Sequence, residues 1–132
     1  MQHGRTWLSM LLLLFLTACP PTGQKPVSLN DGVPAKIAFD LDRLDDRGLY
    51  GPSDGLRSLG YEFCIPAQQR YIDAVHALDP DIKVYRHSPG SIGCRRDEYL
   101  CMGETHDRDW QKILNGLAAL PYVEKIIPSR YE

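Results

Sequence analysis

The chain predicts an α+β fold of ferredoxin-like type: a βαββαβ arrangement, antiparallel sheet with two helices on one face, plus an extra N-terminal strand. Three observations carry that expectation. Apolar residues recur at helical spacing in two segments, Tyr71-Ile72-Val75-Leu78 and Trp110-Ile113-Leu114-Leu117-Leu120. Short β-patterned segments flank each of them. Pro, Gly and Asp sit at the joints, where a chain must turn.

Each element follows in order. Lys36 to Leu41 alternates, with Ile37, Phe39 and Leu41 on one side, which predicts the extra strand. Residues 40–60 are rich in Asp, Gly and Pro and read as a long irregular connection. Tyr61-Glu62-Phe63-Cys64-Ile65 alternates again and stops at Pro66, giving the first strand of the core motif. A helix is expected over 67–78, ended by Asp79-Pro80-Asp81, because the residue before a proline avoids helical geometry. Ile82 to His87 reads as the second strand, leading into the turn-rich residues 88–93. Glu98 to Gly103 is the third strand. Thr105 or Asp107 can cap the second helix, which Pro121 stops, and residues 122–128 make the last strand.

Alternation also predicts the faces. With Phe63, Ile65, Val84, Leu100 and Met102 toward the helices, Glu62, Cys64, Tyr85, His87, Tyr99 and Cys101 point the other way. That second face is too aromatic to be left bare, so residues 36–59 are expected to fold across it or extend the sheet.

Composition narrows the functional classes. The 132 residues carry a formal charge of −2, with 24% charged and 43% hydrophobic residues, as in an ordinary globular domain. A mildly acidic balance gives no electrostatic reason to bind nucleic acid. At the other end of the chain, Arg5 precedes an apolar run from Leu8 to Leu16, the layout of a secretory signal peptide. The run is too short to span a bilayer as a helix, which takes about 20 apolar residues.

The stretch Leu16-Thr17-Ala18-Cys19 resembles the lipobox of bacterial lipoproteins. The resemblance covers residues 1–19 alone. It implies cleavage before Cys19, a diacylglycerol on the Cys19 thiol, and attachment to a membrane of the bacterial cell envelope. Pro20, where the family's inner-membrane retention signal has Asp, implies the outer membrane if the cell has two. Residues 1–18 are then the leader, 19–35 the lipidated cysteine and a Pro/Gly-rich linker, and 36–132 a single domain. Losing Arg5 with the leader moves the formal charge from −2 to −3.

Cys64, Cys94 and Cys101 remain, and an exported compartment favours one disulfide. Cys64 ends its strand near where the third strand begins, which favours Cys64–Cys94, with Cys64–Cys101 as the competing pair. Cys94–Cys101 would need residues 94–97 to fold back, since seven extended residues span about 20 Å.

No Cys-x-x-Cys pair supports a redox or zinc centre, so no metal site and no cofactor is expected. Asp40 to Asp46 fails the calcium-loop pattern, having Leu44 and Asp45 where an oxygen ligand and Gly belong. Arg86, His87, Arg95 and Arg96 form a basic tip able to touch anionic groups or a partner. No nucleophile motif is present, and no catalytic residue is assigned. The expected function is therefore a non-enzymatic interaction or accessory module with an envelope protein partner. The alternative is a small thiol-active or hydrolytic enzyme using Cys64, Cys94, Cys101 or His106.

Overall fold

Residues 34–130 are described in this computed structural model. β-favouring and helical stretches sort as their spacing dictates, into β1 (Leu49–Tyr50), β2 (Arg57–Ser58), β3 (Gly60–Pro66) and α1 (Gln69–Leu78), then β4 (Lys83–Tyr85), β5 (Glu98–Glu104), α2 (Trp110–Ala119) and β6 (Ile126–Pro128). The result is a mixed α+β fold. Its main sheet has the order β4-β5-β3-β6 with every neighbouring pair antiparallel, and β1 and β2 form a small separate ribbon.

Pairing register decides which residues share a face, because directly opposed residues point the same way. Phe63 opposes both Cys101 and Ile126, and Val84 also opposes Cys101. Tyr61, Phe63, Ile65, Cys101 and Ile126 form one buried cluster with Ile72 and Val75 of α1 and with Trp110, Leu114 and Leu117 of α2. Burying a Leu or Phe side chain contributes about 1.5–3 kcal/mol, so this face dominates stability.

The expected parity of β5 is thus corrected by one residue. Cys101 and Tyr99 lie on the helix side, whereas Leu100 and Met102 lie on the other. Tyr99, Leu100, Cys101 and Met102 are all apolar in character, so alternation had no polar position to lock onto, and strand pairing decided instead.

The N-terminal strand is likewise corrected. Pro34–Lys36 and Leu41–Arg43 are single 3-10 turns, the second begun by the Asp40 carboxylate accepting the Asp42 N–H at 3.0 Å. The backbone of this segment meets the sheet at one parallel bridge, Ile37 to Ile126, where the Ala38 N–H donates to the Ile126 carbonyl at 2.8 Å. Phe39, Leu41 and Leu44 pack against the helix-side cluster, and Lys36 Nζ donates to the Leu120 carbonyl at 3.0 Å. Residues 36–44 therefore close the core from the helix side and do not cover the second face.

The cap of α2 differs too. Asp109 occupies the cap position, while the Asp107 carboxylate accepts the Asp109 N–H at 2.9 Å just before it. Thr105 is fully buried, donating its hydroxyl to the Gly48 carbonyl and accepting from the Leu59 N–H at 2.9 Å. It ties the irregular connection to the end of β5. No helix among the described residues is long and apolar enough to cross a membrane.

Candidate functional site

Residues 86–97 leave β4 and return over the second face of the sheet. Cys94 is disulfide-bonded to Cys64 in the middle of β3, with the two Cα atoms 5.5 Å apart. The bond staples this loop to the sheet, and Cys94 becomes buried. The competing Cys64–Cys101 pair is ruled out by register: Cys64 opposes Leu100, so Cys101 points to the other face. Cys101 is a free, buried thiol.

Under the loop lies Glu62, which is fully buried. Its Oε1 accepts the Ser91 hydroxyl and, at 2.7 Å, the Ile92 N–H. Its Oε2 is buried with no hydrogen-bond partner among the described residues. Sequence reading placed Glu62 on the second face but assigned it no role, since a Glu between Tyr61 and Phe63 reads as the solvent side of a strand. Replacing Glu62 with Ala leaves the Ile92 N–H without its acceptor. The expected cost is about 1–3 kcal/mol, with faster hydrogen exchange at the Ile92 amide by NMR. Unchanged exchange there would refute the anchoring role.

The basic tip is largely engaged within the molecule. Arg86 donates to the Tyr99 hydroxyl at 3.1 Å and to Gln69 at 3.3 Å, and stacks over the Tyr99 ring. Arg95 pairs with Glu98 at 2.9 Å and approaches Asp97 and Glu124. These carboxylates, Glu98 foremost, hold its guanidinium pKa above the ordinary value. His87 and Arg96 stay exposed beside a hollow of about 360 Å³ also lined by Pro89 and Cys94.

A larger groove, about 480 Å³, opens on the uncovered half of the second face. Lys83 and Tyr85 from the edge strand β4 line it, with Met102 and Glu104 from β5 and His106 just beyond. Tyr85 is 42% exposed, unusual for a large apolar ring in a sheet. His106 Nδ1 lies 3.4 Å from Glu104 and both are exposed, so its neighbour is Glu104 and not a buried base. Cys19 lies outside the described residues.

A thiol nucleophile finds little support in this arrangement. Burial pushes the Cys101 thiol up to about 12, whereas catalytic thiols need a lowered value and an approach for substrate. The shift has a stability consequence. Cys101 stays protonated in the fold while an unfolded chain would ionise it near 9.0. Its contribution is complete below that pH and is lost as pH rises toward about 12. Native protein at pH 8 should leave Cys101 unmodified by iodoacetamide, with one alkylation appearing on unfolding, as read by intact mass.

No family model, no curated protein and no solved structure matches this chain.

Proposed function

We propose that the chain is an envelope lipoprotein whose domain serves as an interaction module. Acylated Cys19 would hold it to a membrane, and residues 20–35 would space it from the surface. For the domain we propose the ferredoxin-like βαββαβ type, supported by the β4-β5-β3-β6 strand order and by two helices sharing one buried cluster.

The observation that carries the reading is the groove at the edge strand β4, with Tyr85 exposed at its mouth. An edge strand offers unpaired backbone donors and acceptors to an incoming extended segment. Tyr85 and Met102 supply apolar contact, and aromatic residues and Met are enriched at protein interfaces. Asp79, Asp81, Glu104 and Asp107 outnumber Lys83 and His106 along the groove. The partner this fits is an extended, basic segment of another envelope protein.

A photo-crosslinking amino acid at position 85, compared with one at exposed Gln111 on α2, tests the docking surface in intact cells. One discrete adduct from position 85 and none from 111 is expected. Equal adducts from both, or none from either, would refute it. The anchor has its own test: labelled palmitate should enter the wild-type chain and not Cys19→Ala.

A further inference from the structure

The corner that holds the disulfide has a third ligating group beside it. The Cys64 and Cys94 sulfurs and a Glu98 carboxylate oxygen all lie within 4.8 Å of one another. We propose that reduction of the Cys64–Cys94 bond converts this corner into a binding site for a thiophilic divalent cation, Zn²⁺ being the type. The two thiolates and Glu98 are its protein ligands.

Two of the three ligands come from strand backbone. Cys64 and Glu98 belong to paired strands, where Cys64 opposes Leu100 and Glu98 opposes Pro66. Cys94 and Glu98 are four residues apart, a close ligand pair that counting cysteines alone does not reveal. Zinc takes sulfur at about 2.3 Å and carboxylate oxygen at about 2.0–2.2 Å, so tetrahedral ligands sit about 3.5–4 Å from each other. A Glu98 carboxylate oxygen lies within 4.8 Å of both sulfurs before any adjustment. It is oriented by the Arg95 N–H at 2.7 Å and guanidinium at 2.9 Å, the kind of support ligating carboxylates receive.

Charge and space also agree. Two thiolates and a carboxylate bring three negative charges against two on the cation, and Arg95 supplies the balance. A hollow of about 270 Å³ borders Cys64, Glu98, Tyr122 and Lys125. A water takes about 30 Å³, so there is room for a fourth, exchangeable ligand. The same hollow gives a small reductant access to Cys64.

The chemistry balances with a dithiol as reductant. One reductant thiolate attacks a protein sulfur, the S–S bond breaks, and the other protein sulfur leaves as thiolate. The second reductant thiol then resolves the mixed disulfide. Two electrons have passed, the reductant is a disulfide, and the protein holds two thiols. The cation displaces their two protons on binding.

Cobalt(II) is the probe, because thiolate-to-cobalt charge transfer gives a near-ultraviolet band that nitrogen and oxygen ligands do not. The full-length chain in detergent, carrying Cys19→Ser, is titrated before and after dithiol reduction. One equivalent should bind with this band after reduction and none before, and Zn²⁺ should displace it. Cys64→Ser and Cys94→Ser should each abolish the band and Cys101→Ser should keep it. Glu98→Gln should retain the band but weaken binding by more than about tenfold. The proposal is overturned by a band that survives Cys94→Ser or vanishes with Cys101→Ser, or by undiminished affinity in Glu98→Gln. A reduced chain that binds no cobalt overturns it equally, whether its circular dichroism is native or not.

Discussion

Replacing Cys94 with Ser is expected to lower the unfolding free energy by about 3–4 kcal/mol. The disulfide joins residues 30 apart, so it removes substantial loop entropy from the unfolded chain. It also pins the loop over Glu62 and Leu100, both essentially inaccessible to solvent. Small domains are stable by only about 5–15 kcal/mol, so the variant should still fold at 25 °C but with much of its margin gone. For about 100 residues the melting temperature should fall by about 15 °C or more. Thermal unfolding followed by circular dichroism, run beside dithiol-reduced wild type, checks this. A variant melting within 3 °C of the oxidised wild type would show that the loop is held by its other contacts. Hydrogen exchange adds a second reading: amides of 88–94 should lose protection before those of α1 and α2 do.

The parts of this fold legible in the sequence are those where spacing speaks for one face only. α1 and α2 announce themselves because Ile72 and Val75, or Trp110, Leu114 and Leu117, recur with exposed residues between them. β3 is legible for a similar reason, closed by Pro66. β5 is legible as a strand but not in parity, because the 86–97 loop covers part of the second face and apolar residues of β5 occupy both faces. The 36–41 segment alternates without becoming a strand: Asp40 starts a tight turn, and Phe39 gains more from the helix-side cluster than from a ladder.

What escaped sequence reading depends on distant pairings. Glu62 looks like a solvent-facing strand residue until Cys64–Cys94 brings Ser91 and Ile92 over it. Arg86 and Arg95 look like a free basic tip until Tyr99, Gln69 and Glu124 come to meet them from other elements. Glu98 stands beside two sulfurs only once the fold brings Cys64 and Cys94 together. One long-range covalent bond therefore organises the covered half of the second face, and the groove lies on the half it leaves open.

Gly48→Ala is expected to be the most damaging small substitution in the irregular connection, at about 3–5 kcal/mol. Gly48 is buried with φ at +73°, a left-handed conformation that costs a side-chain-bearing residue about 1–2 kcal/mol. That alone would be modest. A Cβ built there, however, lands on the Thr105 carbonyl oxygen and lies 2.9 Å from the Trp110 ring. Neither is the loose end of a side chain, since Thr105 continues β5 and Trp110 is 2% exposed at the start of α2. The backbone at 48 must therefore retreat, breaking the Thr105 hydroxyl bond to its carbonyl and disturbing the Leu59 N–H bond to the same hydroxyl. Gly93 provides the control. It too has positive φ, +84°, but nothing lies within 4 Å of its added Cβ. Gly93→Ala should cost only the conformational share, about 1–2 kcal/mol. Urea unfolding of both variants measures the difference, which isolates the steric term. Equal losses would mean that residues 45–49 can shift freely away from β5, and that Thr105 does not lock this connection to the core.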